Sequence, residues 1–381
     1  MSRQLKATSL MATTQEDAAQ LEAVDRAVAE LRRGGAVVIF ADDSKRGVLA
    51  YAAETIDTWP PRFFDKSVGA PRVVITGRRA AILGLTQPDV RAVALTSGEK
   101  LSLAHIRALT DPQAERERTL SAGFSAAAIA RREPEDAAIV LTKIARLLPA
   151  VISAPLLAND SVGWALAENR IAVSVSAIAG YDASYASTLN PISEAHVPLT
   201  GAQNTRIISF RPKDGGAEHL AIVVGTPDVA KPVLTRLHSE CLTGDLLGSL
   251  RCDCGDQLHG AIAAIAKEGS GVLLYLAQEG RGIGLVNKLR AYALQDQGFD
   301  TVDANEQLGF DDDERVYLPA VRMLRCLGIR SVRLLTNNPA KVGALVRHGV
   351  EVVERVVHSF PSNEHNWNYL QTKAKRSGHL L

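Results

Sequence analysis

The chain has 381 residues, 46% of them apolar, and a formal net charge of +1. That length gives two domains, each able to bury a core. The neutral balance excludes the basic surplus of a nucleic-acid binder, and no apolar run is long enough to span a membrane.

Residues 1–15 carry Arg3 and Lys6 but no apolar stretch of the signal-peptide kind, so they read as a flexible tail on a cytoplasmic protein. Helical spacing over 16–33 puts Leu21, Val24, Ala27, Val28 and Leu31 on one face. Gly34 and Gly35 end that helix, and 36–40 reads as a buried strand. Further strands are expected at 72–76 and 171–175, with helices at 126–132 and 134–148. The polar, turn-rich stretch 196–205 is the expected boundary between a domain at 16–200 and one at 205–381. Beyond it, strands are expected at 207–211, 220–225, 233–239, 271–276, 331–335 and 350–356. Helices are expected at 257–267, 285–295, 315–327 and 341–348. The fold class that follows is α+β, or mixed α/β, in two domains.

Three of the four cysteines, Cys241, Cys252 and Cys254, fall within fourteen positions. In a reducing compartment clustered thiols favour a metal over a disulfide. A disulfide with one free thiol, or three inert buried cysteines, are the other readings. Against inert burial, Arg251, Asp253, Gly255 and Asp256 beside them are poor core material. Structural zinc usually takes four ligands, whereas a catalytic site keeps one position open for water. Three thiolates therefore predict a zinc site with a reactive water, unless His238 or His259 closes it as a fourth ligand.

Strand alternation sends Arg236, His238 and Glu240 to one face, either at an exposed edge or leading into the cysteines. Gln278 to Gly284 follows an apolar strand with a glycine-rich turn, a cradle for an anion or a plain structural turn. There Arg281 can pair with phosphate, and Glu279 can accept from two adjacent N–H donors such as guanine presents. Thr336 to Lys341 makes a second strand-to-helix junction, with Thr or Asn as the cap and Lys341 at the helix start. In the acidic run before Arg315, Asp311 and Asp312 read as solvated acids that complement a helix dipole. Asp313 and Arg315 read either the same way or as a base and its charge partner.

At these motifs the second half resembles a known family. HSECLTGD, RCDCG, QEGRGIGL, NKLRAYALQDQG, LLTNNPAKV and the terminal SGHLL resemble GTP cyclohydrolase II, from about residue 206 to 381. The resemblance implies conversion of GTP to 2,5-diamino-6-(5-phosphoribosylamino)pyrimidin-4-one, formate and pyrophosphate, the first step of riboflavin synthesis. It implies one catalytic zinc per subunit on Cys241, Cys252 and Cys254, magnesium with the GTP phosphates, and a homodimer. GTP contacts would come from Arg236, Leu237, His238, Ser239, Glu240, Gln257, Glu279, Gly280, Arg281, Thr301, Thr336 and Lys341. Asp313 looks like the family's proton acceptor, and Tyr292 like the tyrosine that completes ring opening to formate. Arg315 looks like its nucleophile, with electrostatic stabilisation of the α-phosphate as the rival role, because a guanidinium stays protonated. Ala277 is a departure, standing where the family commonly has Arg.

In the first half, LRRGGAVVIFADD and AYAAE resemble the opening of 3,4-dihydroxy-2-butanone 4-phosphate synthase. The acidic loop of that family is shortened here to Asp43–Gly47, and no histidine lies between His105 and His196. Without those carboxylates a magnesium site cannot be assembled from the usual parts, so a retained synthase-like α+β fold without synthase activity is expected. The rival readings of the whole are a cyclohydrolase paralogue that stops at the formamide and a non-catalytic nucleotide-binding regulator.

Overall fold

A computed structural model describes residues 15–58, 68–86, 89–98, 101–114, 123–361 and Arg376. The expected tail through residue 14 and the SGHLL terminus lie outside the described residues. The chain divides into two compact units that are not contiguous in sequence. One comprises Ala19–Tyr181 with Arg281–Glu314; the other comprises 15–18, 182–280 and the described residues from 315 onward.

The first unit contains most of α1 (Gln15–Arg32), which buries Leu21, Val24, Ala27, Val28 and Leu31, the face that the spacing predicts. Its elements continue as β1 (Val37–Phe40), β2 (Gly47–Ala52), β3 (Arg72–Thr76), α2 (Gly77–Ile82), β4 (Ala92–Ser97) and α3 (Leu103–Thr110). Then come β5 (Phe124–Ile129), α4 (Pro134–Ile144), β6 (Ala150–Pro155), α5 (Ser161–Ala167), β7 (Ile171–Ser174) and the start of α6 (Val175–Thr188). The seven strands lie in the order β5-β4-β3-β6-β2-β1-β7, with only β1 and β7 parallel. Alternate side chains serve two apolar layers: Val37 and Ile39 join α1 and α4, while Val38 and Leu49 join α3 and α5.

One expected helix is a strand. Residues 126–132 fall in β5 and the turn after it, paired antiparallel with β4 from Ala92↔Ile129 to Ser97↔Phe124. Alanine's helix preference is worth only tenths of a kcal/mol per residue, ~0.5, and a backbone ladder overrides it. Arg132, with φ of 65°, also turns the chain out of helical conformation.

The second unit builds its sheet from β8 (Asn190–His196), β9 (Thr205–Arg211), β10 (His219–Val224) and β11 (Val233–Ser239), followed by a π-helical turn at Leu242–Leu246. After it come α7 (Cys254–Glu268), β12 (Gly271–Leu276) and a 3-10 turn at Glu279–Gly282. The next two helices, α8 (Leu285–Gln295) and α9 (Thr301–Gln307), belong to the first unit. The chain then returns for α10 (Leu318–Cys326), β13 (Ser331–Leu335), α11 (Pro339–Arg347) and β14 (Glu351–Val356). The order is β14-β13-β11-β12-β10-β9-β8; the first four strands are parallel and the rest antiparallel. The turn-rich segment 196–205 links β8 to β9 within this sheet, and the chain leaves the first unit earlier, after Tyr181.

The helix expected at 315–327 starts three residues late, at Leu318. Pro319 has no N–H to give the Arg315 carbonyl, so it fits only in a helix's first turn. The acidic run therefore lies in irregular chain and does not cap α10.

Candidate active site

β11, β12 and β13 are adjacent and parallel, and all three end at the same edge of the sheet. Loops leaving the carboxyl ends of parallel strands are where open α/β sheets gather ligands. Cys241 follows β11, Glu279 follows β12, and Thr336 follows β13. β11 is buried along nearly its whole length between β12 and β13, so it is not the exposed edge considered from the sequence. Its alternation holds: Val233 and Leu237 enter the core with α10 and α11, and Leu234 enters the core with α7. Arg236 lies on the Leu234 face, where Gln257 of α7 accepts from it.

The sulfurs of Cys241, Cys252 and Cys254 lie within 4.8 Å of one another, with Cys241 and Cys252 3.8 Å apart. The π-helical turn carries the chain over them. A Cβ on Gly244 would stand 2.7 Å from the Cys252 Sγ and 3.1 Å from the Cys241 Sγ, so only glycine fits. The neighbouring Cys241 thiol and burial push the Cys252 thiol up to about 11, and its two sulfur neighbours with burial raise Cys254 as well. Three thiols this close form a donor set that a soft-binding dication completes. The residues thus fit a metal ion. Neither histidine joins them: His238 Nε2 is bonded to Asp245, and His259 Nδ1 lies 2.9 Å from the Gly255 carbonyl.

Asp245 ties the cysteine turn to the sheet. One oxygen meets His238 Nε2 at 3.0 Å; the other accepts from the Cys241 N–H at 3.0 Å and the Tyr275 hydroxyl at 2.9 Å. His238 stacks on Tyr275, and burial lowers its pKa, so the ring is neutral near pH 7. Glu279 holds the same turn from β12, accepting from the Leu242 and Gly280 N–H groups at 2.7 Å each. Gln278 donates to the Ser239 hydroxyl at 3.1 Å, and the Glu240 N–H donates to the Leu276 carbonyl.

Two cations are buried at this edge. Arg236 donates to the Leu335 carbonyl at 3.0 Å and to Gln257, which in turn donates to Asp253. Burial brings its pKa down to about 10, still protonated, and its Nε has no hydrogen-bond partner. Lys341, in the first turn of α11, donates to the Leu237 carbonyl at 2.8 Å. Asn338 caps α11 by accepting from the Ala340 N–H, and the Thr336 hydroxyl accepts from the Asn338 N–H. Asn337 clasps the backbone of His358 in both directions, and His358 Nε2 lies 2.8 Å from the Gln257 carbonyl. The Arg315 guanidinium lies 5.9 Å from the Tyr317 ring.

The remaining expected residues lie in the first unit. Arg281 takes a left-handed φ of 61° between two left-handed glycines and pairs with Asp312. Thr301 opens α9, whose cap is Asp300, and Tyr292 lies in α8 with Lys288 Nζ 5.7 Å from its ring. Asp313 is half-buried between Asp312 and Glu314. Asp311 and Asp312 do not start a helix: Asp311, though exposed as expected, pairs with Arg78 at 2.7 Å and Lys143 at 3.3 Å, and Asp312 pairs with Arg281.

Sequence reasoning assigned no role to Asp245, Tyr275, Asp253, Asn337 or His358. Asp245 four residues after Cys241 and a tyrosine ending an apolar strand were readable signals. The Asn337–His358 clasp had none.

These features define a class: an α+β enzyme with three thiols placed to hold a metal ion beside buried cations. Residues 190–357 match the family model described as GTP cyclohydrolase II. A GTP cyclohydrolase-2 from Azospirillum brasilense is 54% identical over 370 residues, covering 96% of this chain and 95% of that protein. The chain belongs to the GTP cyclohydrolase II family and is a hydrolase of that kind. The riboflavin biosynthesis protein RibBA of Bacillus cereus (strain G9842) is 60% identical over 164 residues, 43% of this chain and 41% of its own length. A solved structure of RibBX, a two-domain 3,4-dihydroxy-2-butanone 4-phosphate synthase from A. baumannii, overlaps 88% of this chain and 99% of its own. Its TM-score is 0.35 at 15% identity, a likeness too loose to bear on fold or activity. Among the described residues no helix is long and apolar enough to cross a membrane.

Proposed function

We propose that the chain hydrolyses GTP to 2,5-diamino-6-(5-phosphoribosylamino)pyrimidin-4-one, formate and pyrophosphate, the entry to riboflavin synthesis. Two waters are consumed in opening the imidazole ring at C8 and freeing formate, and a third takes the place of pyrophosphate. The observation that carries this reading is the trio of thiols at the carboxyl ends of parallel strands, with Arg236 buried nearby and its Nε unpartnered. Cys241, Cys252 and Cys254 would hold zinc, one per subunit, which supplies Lewis acidity and lowers the pKa of water to about 7.

The chain's own groups do the rest. Segment Arg236–Glu240, Gln257, Thr301 and Thr336 bind and orient the nucleotide. Glu279, held by the Leu242 and Gly280 N–H groups, is the acceptor for the guanine edge. Arg281 and Lys341 offset triphosphate charge, with magnesium entering as part of the GTP complex. Asp313 accepts a proton, Tyr292 assists completion of ring opening, and Arg315 stabilises the α-phosphate as a fixed cation. The reading includes a cytoplasmic homodimer.

The first half keeps a synthase-like sheet but not the synthase chemistry. The acids of the β1–β2 hairpin are taken up by backbone: Asp43 accepts from the Lys45 N–H of the same turn at 3.0 Å, and Asp42 from the Ser176 N–H of α6 at 3.2 Å.

The test is release of formate and pyrophosphate from GTP with magnesium, with and without a zinc chelator, and with ribulose 5-phosphate in parallel. Chelator-sensitive release of both products, with ribulose 5-phosphate untouched, is expected. Pyrophosphate without formate would replace this reading with a paralogue that stops at the formamide. GTP binding without turnover would make the protein a regulator.

A further inference from the structure

The segment Arg281–Glu314 follows β12 in sequence, yet it is built into the unit formed by Ala19–Tyr181. Its attachment is dense. Leu148 packs in one apolar cluster with Ile283, Ala291, Leu294, Leu308 and Phe310. Asn287 donates to the Arg146 carbonyl at 3.1 Å, and Arg290 pairs with Glu54 at 2.9 Å. Glu54 also accepts from the Leu148 N–H at 2.7 Å, so one carboxylate braces both partners. The buried Arg79 donates to Gln307. A Cβ on Gly309 would stand 2.9 Å from the Thr76 hydroxyl and 3.0 Å from Pro149, so backbone meets the first unit there without a gap.

A set of ion pairs gathers on the residues flanking Asp313. Lys143 donates to Glu314 at 2.6 Å and to Asp311 at 3.3 Å, while Arg78 holds Asp311 and Glu306 at 2.7 Å each. The Asp311 N–H donates to Glu314 at 2.8 Å, and the Glu314 N–H to the Arg281 carbonyl at 3.0 Å. The residues before and after Asp313 are thus each fixed: Asp312 by Arg281, and Glu314 by Lys143. Burial alone would raise the Asp311 carboxyl, but Lys143 and Arg78 bring it below its ordinary value. The Lys143–Glu314 pair is only 21% and 18% exposed, well shielded from the screening that weakens surface pairs.

We infer that the first unit serves as the scaffold of the Asp313 segment, with Lys143 and Arg78 as positioning residues for GTP hydrolysis. The inference rests on the assignment of Asp313 as proton acceptor. The first half thereby keeps a present role in catalysis, because its cations set where a base stands even though its own loop chemistry is lost. A reacting group displaced by about 1 Å can cost on the order of 100-fold in rate, so a hold of this kind is visible in kcat.

The test uses the full-length protein carrying Lys143→Gln, Arg78→Gln, or both, with Arg33→Gln as the control, because Arg33 pairs with the nearby Glu30 on an exposed helix end. Formate release and amide hydrogen exchange over 301–317 are measured together. The double variant is expected to lose about tenfold or more in kcat, with KM for GTP and zinc content unchanged and exchange over 306–314 quickened. Lys143→Arg keeps the charge and is expected to recover most of the rate. Unchanged kcat overturns the inference, whether or not exchange quickens, and so does a fall in kcat with exchange unmoved. A wild type that releases no formate sinks the cyclohydrolase reading instead, and the exchange measurement then still decides whether these cations hold the segment.

Discussion

The β1–β2 hairpin and the turn after β11 both place acidic residues just beyond a strand, and they use them in opposite ways. Asp42 and Asp43 are exposed; Asp43 bonds within its own turn, and Asp42 takes a single backbone N–H. Asp245 gathers donors from β11, β12 and the cysteine turn. Asp43 fixes only its own turn, and Asp42 adds one bond to the start of α6. An acid that collects donors from three elements fixes their mutual geometry, and low-dielectric surroundings strengthen each bond it makes.

The comparison breaks most sharply at Gly244. Gly244→Ala sets a methyl against two cysteine sulfurs and is expected to cut zinc content and GTP turnover on the order of 100-fold. Metal analysis of the purified variant beside the formate assay checks this, and a fully loaded, active variant would show that the turn yields.

A smaller effect is expected from acid. Burial and the nearby Arg236 bring His358 down to about 4, against an ordinary value near 6.5. The unfolded chain therefore takes up this proton first as pH falls. Stability from the neutral ring is complete above about pH 6.5 and is lost progressively towards pH 4, by at most about 3 kcal/mol. His238 is shifted the same way. Thermal melting at pH 7.5 and pH 5 is expected to show a lower Tm at pH 5; equal values would mean that the clasp around His358 opens freely.

The smallest effect belongs to the hairpin. Asp43→Ala removes one exposed side-chain-to-backbone bond, and GTP turnover and Tm are expected to stay close to wild type. A large loss of turnover would give the shortened loop a role of its own.

What the sequence made legible was what its periodicity writes locally. The buried face of α1 and the limits of β12 and α8 follow from spacing, and of the Thr or Asn expected to cap α11 it is Asn338 that does so. The cysteine trio was legible because three thiols so close in sequence have few other uses. β5 was misread because its alanines carry no alternation, and only the β4 ladder makes them a strand. The start of α10 differs from the expectation because Pro319 is tolerated only in a helix's first turn. The Asn337–His358 clasp and the Lys143–Glu314 pair join residues far apart in the chain, and no local pattern encodes such pairs.

The non-contiguous units bear on how the protein is made. When Tyr181 has left the ribosome, the first unit still lacks α8 and α9, and Leu148 has no partners for the cluster it shares with Ile283 and Phe310. At ~5–20 residues per second, the wait for Glu314 is on the order of 10 s. During that interval the nascent chain carries an apolar surface and the Arg78 and Lys143 side chains awaiting their carboxylates. Only the synthesis of α8 and α9 supplies the partners that cover them.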